Sequence, residues 1–253
     1  MDEYILCSLH LIKENFLRVA AAPRSKAGRW LETWIAVVKC AEWRSIHDVR
    51  QTYLSADPVK VASGRCITIF NVCGNDYRLI VAIHCDKRRI YTLRFMRHAE
   101  YDKNHWKNGA MNTNTKITLN FKAMPHDYAA LCGVLPPRPI HDAVDYRNTV
   151  EVADVFAGFQ DRMTADQHDY FDLLCHLIEK YDSESVKHSE LTASALLKHL
   201  LVEHGLAGAS LSRILGKSAS LGPMILRGDR KITADHAVRL GNHFKLRPDA
   251  FLR

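Results

Sequence analysis

Hydrophobic spacing divides the chain into stretches of different period. Apolar residues recur at Tyr4, Leu6, Leu9, Ile12, Phe16 and Val19, then at Trp30, Trp34, Val37 and Val38, which predicts two helices over 4–19 and 28–41. From Cys66 the period drops to two in three runs, Cys66–Val72, Tyr77–Cys85 and Ile90–Arg97, parted by Gly74-Asn75-Asp76 and Asp86-Lys87-Arg88-Arg89. Connectors this short join only antiparallel neighbours, so the runs predict a meander sheet packed by the leading helices. Alternation gives one face to Tyr77, Leu79, Val81 and Ile83 on the second run and one to Tyr91, Leu93 and Phe95 on the third. The opposite faces carry Arg78 and His84, and Arg94 with His98. Two readings of that arginine-bearing side stand together: an open ligand surface, or a solvated face.

Residues 98–125 lose periodicity, and Asn108–Thr115 reads as a linker of small and polar residues around Met111, either a former start codon or an ordinary loop methionine. Pro136-Pro137-Arg138-Pro139 predicts an extended, semi-rigid stretch. Helices follow over 142–159 and 165–182; in the second, Phe171, Leu174, Cys175 and Ile178 form a stripe with Asp166, Asp169, Asp172 and Glu179 mostly off it. The last stretch predicts short helices over 192–204, 209–215, 222–227, 233–244 and 248–252, interrupted by Gly205, Gly208, Gly216 and Gly228. Leu211–Gly216 followed by Met224–Gly228 has helix-turn-helix spacing. The expected class is α+β: a small antiparallel sheet with N-terminal helices, then an all-α part.

Charge sharpens this division. Net charge is +7 over residues 1–108, +2 over 109–125, −8 over 126–190 and +6 over 191–253. These blocks are taken as a front domain, a linker, an acidic helical segment and a C-terminal domain. Two cationic blocks point to polyanions, and the anionic one between them to a mask. Seven scattered cysteines without a C-x-x-C pair support neither a disulfide framework nor a zinc site, and they read as small buried hydrophobes. Met1-Asp2-Glu3-Tyr4 opens no leader peptide, and no apolar run approaches the roughly 18 residues of a membrane span, so a cytoplasmic protein without membrane contact is expected.

Residues 42–107 resemble the HigB family of RelE-like toxins. The resemblance rests on Glu42-Trp43-Arg44-Ser45, Asp48-Val49-Arg50, Ala56-Asp57, the run Phe70–Ile80, His98-Ala99-Glu100-Tyr101-Asp102 and Trp106-Lys107. Residues 139–253 look like the HigA antitoxin family, through Pro139-Ile140, Asp145-Tyr146, the acidic stretch closing at Glu179-Lys180-Tyr181, and Leu226–Thr233. The paired resemblance assigns 1–108 to toxin and 111–253 to antitoxin. It implies a ribosome-dependent messenger-RNA endoribonuclease joined to its inhibitor and operator-binding autorepressor.

Metal-free RNA cleavage needs a base for the 2′-hydroxyl, an acid for the leaving oxygen and cations at phosphorus. The basic half lacks metal-ligand spacing, so no metal and no cofactor is expected. Arg78 and Arg94 are assigned to phosphate because guanidinium forks bind it bidentately, and His98 to acid–base work, with Tyr101 second. His98 alternatively ties down the following segment. Lys39, Arg44, Arg50, Asn71 and Lys107 are candidate RNA contacts, while Trp43 reads equally as core.

In the C-terminal part, Lys217, Ser218 and Ser220 are candidates for base reading and Arg213, Arg227, Arg230 and Lys231 for phosphates. Ala207-Gly208 stand where this helix-turn-helix class commonly has Thr-Gln, and Pro223 is expected at the first helical position. The acidic block inhibits either by covering the basic sheet or by blocking the ribosome sterically, within one chain or between chains of a homodimer. The rival readings are a transcriptional regulator with a catalytically dead RelE-like domain, and an RNA-binding module without cleavage.

Overall fold

The computed structural model describes residues 9–21, 25–104, 106, 119–185, 192–216 and 218–252. Its α+β architecture centres on a five-stranded sheet, β1 (His10–Ile12), β2 (Asp57–Lys60), β3 (Cys66–Val72), β4 (Tyr77–His84) and β5 (Arg89–Arg97), in the order β1-β5-β4-β3-β2. The meander β3-β4-β5 is antiparallel as expected, and β1 joins β5 in parallel. Helices α1 (Glu14–Ala21), α2 (Ser25–Cys40) and α3 (Ile46–Thr52) accompany the early strands, and α4 (His98–Tyr101) caps the end of β5. The single helix expected over 4–19 forms only from Glu14 in its described part; His10–Ile12 is strand, and Lys13, at φ 65, turns the chain from strand into helix.

The alternation expected along β5 also fails. Ile80 pairs with Arg94 and Val81 with Thr92, which leaves Leu93 as a bulge. One extra residue flips the faces beyond it. Tyr91 and Leu93 thus join Ile80 and Ala82 in one core, while Phe95 packs with Tyr77 on the other side.

Nor is the sheet one-sided. Phe70, Leu79 and Val81 face α2, α3 and the residue that ends α3; Trp34, Val49 and Tyr53 there are fully buried. Ile67, Ile69, Ile80, Ala82, Tyr91 and Leu93 fill the second face. Near-continuous apolar runs such as Leu79–Ile83 are what a sheet covered on both sides requires.

The cover on the second face is the acidic segment, made of α5 (Tyr128–Val134), α6 (Ala143–Phe156) and α7 (Ala165–Ser185). Phe171, Leu174, Cys175 and Ile178 of α7 are buried with Phe156 against the sheet, as the stripe predicts. Asp142 caps α6 by accepting from Val144 and Asp145 N–H groups. At Gly158, φ +85, the chain passes so close to β3 that an added Cβ would lie 2.6 Å from the Cys66 carbonyl; Cys66 N–H donates to Gly158 O at 2.7 Å.

Helices α8 (Ala193–Glu203), α9 (Gly208–Ile214), α10 (Leu221–Arg227) and α11 (Ala234–Phe244) follow, with a 3-10 turn at Pro248–Phe251. Their core, including Leu200, Leu211, Leu240 and Phe244, is continuous with the α2–α3 core. Thr52 donates to Phe244 O at 2.6 Å, Trp30 Nε1 to Glu203 at 2.8 Å, and Arg247 N–H to Cys40 O at 2.8 Å. Pro223 is the third residue of α10, not the first; an N–H in that opening turn has no intrahelical acceptor to lose. Of the cysteines, Cys40 and Cys175 are buried, whereas Cys66, Cys73, Cys85 and Cys132 are half-buried and free, so the uniform core assignment is too simple. Among the described residues no helix is long and apolar enough to cross a membrane.

Candidate functional site

Antiparallel pairing sets Asn71 opposite Arg78, Arg78 opposite Met96, and Ile80 opposite Arg94. Directly opposed residues share a face, so Asn71, Arg78 and Arg94 all lie on the side covered by α6 and α7. Arg78 is 8% exposed; it donates to Tyr77 O at 3.1 Å and to Asn75 Oδ1 at 2.5 Å, and its guanidinium lies 5.3 Å from the Tyr101 ring centroid. Tyr101 stacks between His98 (6.3 Å) and Trp106 (4.9 Å). Burial pushes the Tyr101 hydroxyl up, and the Arg78 charge opposes that rise.

His98 opens α4. Its backbone does the tying, accepting from Asp102 N–H and donating to Asp76 O at 3.0 Å, while the imidazole Nδ1 stands 3.6 Å from Asp102 Oδ1. The fold therefore gathers Asn71, Arg78, His98 and Tyr101 at one end of the arginine-bearing face, with Arg94 one diagonal step away. His84 does not belong to this group: it is buried against Phe171, its Nε2 3.4 Å from Gly158 N, and desolvation pulls it down to about 4.

The other RNA candidates are dispersed. Lys39 pairs with Glu14 at 2.7 Å, Arg44 is exposed before α3, and Arg50 lies exposed on α3; all three sit on elements of the opposite sheet face. Trp43 is core, donating to Thr52 Oγ1 at 2.7 Å. Lys107 and Lys217 lie outside the described residues, as does Met111.

Sequence reasoning missed the charges at the cover. Lys13 donates to Asp154 at 2.7 Å with both side chains at most 7% exposed. Arg65 donates to Asp154 O at 2.5 Å, and its own charge is depressed by burial and by Arg94 while Asp154 supports it. Arg89 and Lys87 meet Asp172 of α7 at 2.6 and 3.1 Å, and His10 meets Glu179 at 2.8 Å. One signal was available: Asp154 is a lone carboxylate inside Val152-Ala153-Asp154-Val155-Phe156, where an unpartnered charge would be costly.

In the C-terminal part, α9 and α10 cross closely. Gly222 N–H donates to Ser212 Oγ at 2.7 Å, and that hydroxyl donates to Ala219 O at 2.8 Å. Arg213, Ser218, Ser220, Arg227, Arg230 and Lys231 are all exposed, with Arg227 bonded to Asp229 at 2.9 Å.

Comparison with curated proteins finds no match to the chain. Residues 27–104, the stretch from α2 to the turn after α4 that carries Asn71, Arg78, Arg94, His98 and Tyr101, match the HigB toxin family model, described as the RelE-like toxic component of a toxin-antitoxin system.

Proposed function

We propose that the front domain is a metal-independent messenger endoribonuclease acting on the ribosome, that α6 and α7 hold it latent as an antitoxin within the same chain, and that the C-terminal helices bind operator DNA as an autorepressor. RelE-like toxin family members are endoribonucleases. The observation that carries the reading is the set of ion pairs between front domain and cover, in which Asp154 of α6 and Asp172 and Glu179 of α7 meet Lys13, Arg89, Lys87 and His10 on the sheet side that also carries Arg78 and Arg94.

In the mechanism, Arg78 is held by Asn75 and Tyr101 before substrate arrives, so little reorganisation opposes its contact with a scissile phosphate. Arg94 meets the same backbone from the neighbouring strand. His98 exchanges the proton of the 2′-hydroxyl or leaving oxygen through Nε2, with Asp102 steadying the imidazolium at Nδ1. Tyr101 orients Arg78 and offers a ring for stacking. The HigA-like role of residues 111–253 takes Asp154 and Asp172 as the inhibitory contacts. On α9 and α10, Arg213, Arg227, Arg230 and Lys231 meet DNA phosphates and Ser218 and Ser220 meet bases, in helix-turn-helix fashion.

The test loosens the cover in the full chain. Asp172→Lys sets a cation against Arg89 and Lys87; messenger cleavage on translating ribosomes and growth arrest should follow, and adding Arg78→Ala or His98→Ala should abolish both. Cleavage indifferent to Arg78→Ala, Arg94→Ala and His98→Ala would remove the assignment. A second reading, a transcriptional regulator with a dead front domain, is favoured by the single core that α2, α3 and the C-terminal helices share. It predicts that Asp172→Lys yields no cleavage while operator binding persists.

A further inference from the structure

The cations of the front domain are not spread evenly beneath the acidic helices. Two of them, Lys13 after β1 and Arg65 before β3, bond one residue of α6, and Arg94 on β5 lies within reach of its charge. Lys13 Nζ bonds the Asp154 carboxylate at 2.7 Å, Arg65 bonds its carbonyl at 2.5 Å, and Arg94 and Arg65 both feel its charge. Lys13 reaches this point from a left-handed backbone, φ 65, and its ammonium lies 4.9 Å from the Phe16 centroid and 5.3 Å from that of Tyr91. The Tyr91 hydroxyl borders the same carboxylate. Such a cation is aimed by its surroundings, not left to sample solvent. All three cations belong to the front domain and the anion to its cover.

We propose that Lys13, Arg65 and Arg94 form a subsite for a non-scissile phosphodiester of an RNA strand, and that Asp154 occupies it in the closed chain as a substitute anion. This rests on the ribonuclease reading above and adds a second backbone contact to it. Arg94 and Arg78 are diagonal neighbours on adjacent strands, roughly 7–8 Å apart at their Cα atoms. An RNA strand running along this face meets Arg78, His98 and Tyr101 at one phosphate and the Lys13 cluster at a neighbouring one. A phosphodiester suits the cluster because guanidinium forks and an ammonium together neutralise it from several directions.

The experiment measures binding of a short fluorescent 2′-O-methyl oligoribonucleotide, which resists cleavage, to the full-length chain at low salt. Asp154→Asn should tighten binding by about tenfold or more, with a steeper salt dependence. Lys13→Gln in the Asp154→Asn background should reverse the gain. Asp172→Asn, which loosens the cover elsewhere, should give a smaller gain that Lys13→Gln leaves alone. No gain in an Asp154→Asn protein that still melts cooperatively overturns the subsite. So does a gain that Asp172→Asn equals, or that Lys13→Gln leaves intact. If Asp154→Asn loses its cooperative melt, hydrogen exchange on the unmodified chain decides. RNA that takes the subsite displaces Asp154, so α6 amides should exchange faster at saturating oligoribonucleotide, and unchanged exchange refutes the proposal. Because the probe is not cleaved, its binding is independent of the Arg78 activity test. A binding gain without cleavage removes the catalytic reading alone, and cleavage without the gain removes the subsite alone.

Discussion

The Lys13–Asp154 pair lets the strength of the cover be measured directly. At 2.7 Å and an effective dielectric constant of about 20, the gross attraction is about 6 kcal/mol, against which stands the desolvation of two charges no more than 7% exposed. Removing one partner leaves the other buried, so Asp154→Leu, which abandons Lys13 among Arg65 and Arg94, should cost about 4 kcal/mol. Lys13→Met should cost less, about 2–3 kcal/mol, because those arginines still face Asp154. The double variant replaces both charges with apolar groups and should cost only about 1–2 kcal/mol, well below the sum of the single losses. Urea unfolding of the full chain, followed by tryptophan fluorescence and far-ultraviolet circular dichroism, supplies the three differences, provided the two transitions coincide. Additivity of the single variants to within about 0.5 kcal/mol would refute the claim that the buried pair couples sheet and cover.

Gly158→Ala should weaken the cover by about 2–4 kcal/mol, since the new Cβ meets the Cys66 carbonyl at 2.6 Å and the backbone sits at φ +85; limited proteolysis between α6 and α7 should accelerate, and an unchanged rate argues against that contact. Stability should fall on acidification between pH 6.5 and 4: desolvation pulls His199, against Tyr53, and His84 down to about 4 each, so the unfolded chain binds their protons first. Each contributes up to about 3 kcal/mol that is present above pH 6.5 and lost toward 4, and His199→Asn should flatten the melting temperature in that window. Asp182, pushed up to about 6 by burial, acts in the opposite sense, adding stability as it takes a proton. Affinity for a DNA duplex should fall steeply with salt, and Arg230→Ala with Lys231→Ala should reduce that slope by about two in log–log terms; a flat response counts against the DNA contact.

Period and punctuation alone carried the β3-β4-β5 meander, α6, α7 and the short C-terminal helices, because each is a local pattern ended by glycine, proline or a capping side chain. The same period placed Arg78 and Arg94 on a common face, and block charge marked residues 126–190 as the counter-ion of the front. Tertiary structure decided the rest. A bulge at Leu93 moved Phe95 to the other side of the sheet, and ahead of Lys13 the residues His10–Ile12 of an expected helix form a strand that only its partner β5 could specify. The choice of Asp154 as the point where Lys13 and Arg65 meet joins residues far apart in the chain, and no periodicity reports such a meeting. Spacing fixes which way a side chain points from its own element; what it meets there depends on how separate elements pack to bury apolar area and pair the charges they cover.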